Sequence, residues 1–275
     1  MASSTIYHAR SISLPSRPHP VAEQLDEQLS RLRSSLSAST SSSVSHSLND
    51  LTDLYTPVDE FLQLPLNQQI LSHNQNAIDQ VLDGSLRLLD ICSASRDALH
   101  QSRESLQNVQ SALRRRCSGE LSITSEATKY LNTRRSVKKA IKKWQKNLKP
   151  TTELKEEANA TVTLLKDVQA MTADTLKSLV SYIAGSQKSG WSVVAKLINK
   201  NNNDVATSSL FDVVDAALNS LICQKKSSIS SSQIENLTSQ ILKLETEIQD
   251  LDEALESLFR YLVKTRATLL NIFSY

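Results

Sequence analysis

The stretch 234–272, IENLTSQILKLETEIQDLDEALESLFRYLVKTRATLLNI, decides the fold. Ile234, Leu237, Ile241, Leu244, Ile248, Leu251, Leu255, Leu258 and Leu262 alternate steps of three and four, and the seam runs on through Thr265 to Leu269 and Ile272. With a at Ile234 and d at Leu237, this is the pattern of a helix that lays one apolar stripe against a neighbouring helix. Up to Asp252 the flanking e and g positions are polar or acidic, including Glu245, Glu247 and Asp252; later they become Phe259, Tyr261, Phe273 and Tyr275. That widening predicts a helix packed on one side at its beginning and surrounded at its end. The seam is open to a second copy of the chain, as a homo-oligomeric coiled coil, or to an earlier helix of the same chain. The intramolecular hairpin is the favoured expectation, because the chain has long helices of its own and no complementary e and g charges that would specify self-pairing.

Working outward, the rest of the chain follows the same logic. Only four glycines and six prolines occur in 275 residues, with no proline after Pro150, whereas sheet-rich folds need turn-formers every several residues. Helical spacing predicts a first helix from Val21 to Leu36, and a Ser-rich linker follows around residues 39–43. A second helix from Val44 to Tyr55 is expected to bend or break near Pro57, with a further turn around Phe61 and Leu62 before Pro65. A third, long helix runs from after Asn74 to near Gly119, locally weakened at Gly84 by about 1 kcal/mol relative to Ala. The spacing then predicts a basic helix over about 122–149, a helix from after Thr152 to Gly185, and a short apolar helix over 191–198. One more helix is expected from Asp204 to about Cys223, and the heptad helix spans about 233–273. The expected fold is all-α: an elongated bundle of long helices with a C-terminal coiled-coil-like helix and a disordered N-terminal tail. Residues 1–20 form that Ser/Pro/Arg tail, poor in apolar surface, and 21–275 form a single helical-bundle domain.

Composition narrows the environment. Cys92, Cys117 and Cys223 are odd in number and lie in no metal-ligand or CxxC spacing, which predicts reduced thiols and no metal. No run approaches eighteen apolar residues, and the N-terminus lacks an apolar signal core. The expected location is cytoplasmic, with nuclear and peripheral-membrane locations as alternatives. Organelle import is disfavoured because Pro15, Pro18 and Pro20 break the helix a transit peptide needs. The glycosylation patterns at Asn159 and Asn236 fall in sequence expected to be helical and are read as chance.

Two segments point to contacts. In the basic helix Arg134, Arg135, Lys138, Lys139, Lys142, Lys143 and Lys146 occur with no acid between Glu126 and Glu153. Leu131, Val137, Ile141, Trp144 and Leu148 run down its other side. Such a helix suits an anionic membrane surface or the groove of a calcium-sensor protein; alternatively its apolar stripe is core and its lysines a solvated face. Nucleic acid is disfavoured because aromatic interleaving is absent apart from Trp144. In the tail, Arg10 precedes Ser13 by three residues and Pro15 follows by two. Ser13 is thus a candidate phosphosite for an Arg-lined phosphoserine-binding protein of the 14-3-3 type. The five histidines are scattered and four isolated glycines build no phosphate loop, so no catalytic, cofactor-binding or metal-ligating residue is assigned and an enzyme is not expected.

Several motifs together resemble a known family. The opening His8-Ala9-Arg10-Ser11-Ile12-Ser13-Leu14-Pro15-Ser16-Arg17-Pro18-His19-Pro20, the Leu62-Gln63-Leu64-Pro65 turn and the basic Arg134 to Lys149 helix are similar to the plant-specific BYPASS-like family. So is the terminal Leu255-Glu256-Ser257-Leu258-Phe259-Arg260 with Lys264-Thr265-Arg266 and Leu269-Leu270-Asn271-Ile272. The resemblance spans essentially the whole chain. It implies a land-plant protein concerned with root and shoot development, and it brings no catalytic residues. Together the readings give a non-enzymatic helical interaction or adaptor protein, with a peripheral membrane adaptor that binds anionic lipid as the alternative.

Overall fold

The computed structural model describes residues 19–37, 43–115, 120–147, 159–185, 209–223 and 231–274. Among these the regular structure is helical and contains no strand, as the spacing predicts. The helices are α1 (Pro20–Ser37), α2 (Ser43–Gln63), α3 (Pro65–Ser72), α4 (Gln75–Arg114), α5 (Glu120–Asn147), α6 (Ala160–Ala184), α7 (Leu210–Cys223) and α8 (Ser231–Ser274). The short helix expected over 191–198 and the N-terminal tail lie outside the described residues.

α4 and α8, of 40 and 44 residues, are rods of roughly 60 Å that form the spine. They run antiparallel. Gln110 bonds Glu245, Arg96 bonds Asp252, the Cys92 thiol donates to the Leu255 carbonyl, and Arg266 donates to the Leu82 carbonyl. The heptad seam therefore closes an intramolecular hairpin with the helix that follows Asn74. From Leu237 to Leu262 every a and d residue is buried, as are Leu269 and Ile272.

α4 also packs on α5 and α6. Small buried side chains make that crowding feasible: Ser95 and Ser102 are fully buried, and each returns its hydroxyl to the carbonyl one turn earlier. Gly84 belongs to the same design, since a Cβ there would sit 2.6 Å from Gln169 Oε1, whose amide donates to the Val81 carbonyl at 2.6 Å. One contiguous core runs through all eight helices.

Three expectations are corrected, and one helix is added. Of the bend or break expected near Pro57, the break is excluded: α2 continues to Gln63, because Leu54, Tyr55, Val58, Phe61 and Leu62 are all buried and their packing outweighs a cost of about 3 kcal/mol. The segment after Pro65 is itself a helix, held by Asn67, which donates to the Phe61 carbonyl at 2.8 Å and accepts from Thr161 Oγ1 at 3.1 Å. Asn159 lies outside a helix, as the N-cap of α6, its side chain accepting from the Thr161 amide at 3.0 Å.

The last concerns α8. Its beginning is packed along the seam as expected, with Leu237, Ile241 and Leu244 buried and Ser239, Leu242 and Lys243 exposed. Its end is tied to α2 by Lys264–Asp59 and to α4 by Arg266 and the Leu82 carbonyl but is not surrounded, since Val263, Leu270 and Phe273 are each more than 40 % exposed.

Candidate functional site

α5 carries the cations singled out by the sequence, and the structure sorts them into two groups. At 3.6 residues per turn, Ala127, Tyr130, Leu131, Arg134, Val137 and Ile141 fall on one side of the helix and are all buried, with Trp144 half-buried against the same core. Leu131, Val137, Ile141 and Trp144 of the apolar stripe therefore belong to the core, and Leu148 lies outside the described residues. Insertion of this side into a membrane or a calcium-sensor groove would require Val137 and Ile141 to leave the bundle.

Arg134 belongs to the inner group, which corrects its assignment to a contact face. It is only 1 % exposed. Its Nε donates to Asp215 Oδ1 at 3.2 Å, its Nη2 donates to the Ile183 carbonyl at 2.7 Å, and its guanidinium lies 4.4 Å over the Phe211 ring. One side chain thus ties α5 to the last turn of α6 and to α7, with a cation where the α6 dipole is negative.

Lys138, one turn on, donates to Asp215 Oδ2 at 3.0 Å and stands 4.0 Å from Asp212. It is committed to the bundle as well. Tyr130 is buried beside this node; desolvation foremost, then the Asp215 charge, pushes its hydroxyl well above the usual range. α6 ends at Gly185 with φ +74, where a Cβ would meet Asp212 Oδ1 at 2.1 Å. Between α5, α6 and α7 lies a cleft of about 470 Å³ lined by Lys138, Lys142, Gln145, Asp212, Asp215 and Asn219 among others.

The outer group is Arg135, Lys139, Lys142 and Lys143, all exposed. Their spacing of four, three and one places them in a single stripe about 12 Å long, on the side away from Val137 and Ile141. Arg135 donates to Asn132 Oδ1 at 2.6 Å. None of the four forms an ion pair with a described residue. The Lys146 side chain and Ser13, with Arg10 and Pro15, lie outside the described residues.

Among the described residues no cluster of three His, Cys, Asp or Glu could hold a metal ion, and no helix is long and apolar enough to cross a membrane. The residues missed by sequence reasoning are Asp212, Asp215 and Phe211 of α7. A signal was present: two carboxylates three apart in the mostly apolar LFDVVDAALNSLIC need cationic partners when buried.

No curated protein and no solved structure matches the chain. A family profile described as Protein BPS1 matches residues 47–272, which includes all of α3 to α7, all but the first residues of α2 and all but the last residues of α8, and which agrees with the BYPASS-like resemblance. On that match over most of its length, the chain belongs to the BPS1 family.

Proposed function

We propose that this protein is a non-enzymatic helical adaptor, acting in root and shoot development through surface contacts rather than through chemistry in a cleft. Membership in the BPS1 family suggests a role in plant development. The observation that carries the surface is the outer stripe of α5. Arg135, Lys139, Lys142 and Lys143 are four exposed cations without an ion pair among the described residues, on a helix whose opposite side is fixed in the core. A helix held in this way presents its charges at fixed positions, so ordering the backbone adds no cost on binding.

The tail is a second contact element by sequence: Arg10, Ser13 and Pro15 fit a phosphoserine-binding partner. Proximity labelling in root tissue with the full chain tests both elements. Replacing Arg135, Lys139, Lys142 and Lys143 by Gln is expected to remove a set of neighbours, and Ser13→Ala a different set. Neighbour sets unchanged in both variants would defeat the adaptor reading.

A further inference from the structure

We infer that the outer stripe of α5 binds an anionic lipid surface by charge alone, without apolar insertion; this rests on the stripe being the contact surface proposed above. The first argument is what the stripe lacks. A protein interface takes most of its affinity from a desolvated apolar or aromatic anchor at its centre, and exposed ion pairs at a rim add little. Between Asn132 and Lys143 the exposed positions of α5 are Asn132, Arg135, Ser136, Lys139, Lys142 and Lys143, without one apolar residue among them.

The second argument is what the stripe offers. A bilayer rich in acidic headgroups presents negative charge at any spacing, so four cations along about 12 Å need no matched set of carboxylates. Each Lys or Arg near such a surface strengthens binding roughly five-fold, and four together on the order of several hundred-fold. The third argument concerns mode. Val137 and Ile141 are buried and Trp144 is packed on the core, so the apolar side of α5 is not free to enter the acyl region. Lys138 contributes little because Asp215 and Asp212 hold it.

The test is co-sedimentation of the full chain with phosphatidylcholine vesicles and with vesicles enriched in phosphatidylserine. Binding is expected to the acidic vesicles only, and is expected to vanish near 1 M salt, where the screening length falls to about 3 Å. The variant with Arg135, Lys139, Lys142 and Lys143 changed to Gln should lose on the order of several hundred-fold in affinity. A charge-matched control with Arg31, Arg114, Lys243 and Arg260 changed to Gln should bind as the parent does. In a Trp191→Phe background, Trp144 emission should not shift to the blue on binding.

Absence of sedimentation, equal loss in both variants, or a blue-shifted Trp144 overturns the inference. If vesicles fail to bind while the α5 variant still loses its cellular neighbours, the contact surface stands and its partner is an acidic protein instead.

Discussion

Replacing Arg134 by Met tests the division of α5 most sharply. The substitution keeps a long, flexible apolar stem and removes the guanidinium, with its bonds to Asp215 and the Ile183 carbonyl and its position over Phe211. Asp215, whose side chain is 12 % exposed, would keep Lys138 as its one cationic partner among the described residues. Two charge-assisted bonds contribute about 1.5–3 kcal/mol each and the ring contact about 0.5–2, while removal of one member of a buried pair costs about 3–5 kcal/mol because the other is left uncompensated. These terms overlap, so the expected loss is about 3–5 kcal/mol. Arg135→Gln, one residue along but exposed, should stay within about 0.5 kcal/mol of the parent. Urea denaturation followed by far-UV circular dichroism measures both. The double variant Arg134→Met, Asp215→Leu should recover a large part of the loss, because it removes the stranded carboxylate as well. A loss below about 1 kcal/mol for Arg134→Met would refute the placement of Arg134 as a core tie.

Other consequences follow from particular groups. Burial raises the Glu247 carboxyl, against the opposing bond from Tyr182, so its contribution to stability is complete below about pH 4.5 and is lost as pH rises through its folded value. Glu247→Gln keeps an acceptor for Tyr182 without the charge; its urea midpoint should exceed the parent's at neutral pH and converge with it in acid, and a lower midpoint at neutral pH would count against this. Cys92 is fully buried with its thiol pushed up to about 12, whereas Cys223 is exposed. In a Cys117→Ser background a thiol reagent should therefore label Cys223 in the native state and Cys92 only after unfolding. Gly185→Ala should cost about 1–3 kcal/mol in the same denaturation assay, since φ +74 and the 2.1 Å approach to Asp212 Oδ1 both oppose a Cβ; a neutral outcome would contradict that backbone geometry.

How far these features were readable beforehand depends on whether their cause is local. The α8 seam was legible because a three-and-four repeat is a property of the strip of chain itself, as was the apolar stripe of α5; which earlier helix it pairs with was not. α3 was not: Leu66 is 67 % exposed while Asn67 is buried, the reverse of the usual preference, and only the bonds of Asn67 to Phe61 and Thr161 explain it. Pro57 misled for a related reason, since local preference gave way to tertiary packing. Arg134 and Arg135 look alike as composition, yet Arg134 stands three residues after Leu131 and three before Val137, in line with the apolar stripe. Reading that register, together with two acids on an apolar α7, would have separated the tie from the contact face. Gly84 resembled a weak point in a long helix, and its purpose, room for Gln169, belongs to a helix far away in sequence.

The central claim is that α5 is a fixed member of the bundle, with its apolar side and Arg134 in the core and Arg135, Lys139, Lys142 and Lys143 outside. Amide hydrogen exchange read segment by segment tests it most directly. Amides over 130–141 should exchange as slowly as those at the centres of α4 and α8, and should remain slow when acidic vesicles are bound. Fast exchange over 130–141 while α4 and α8 stay protected would show a helix free to leave, and would contradict the account.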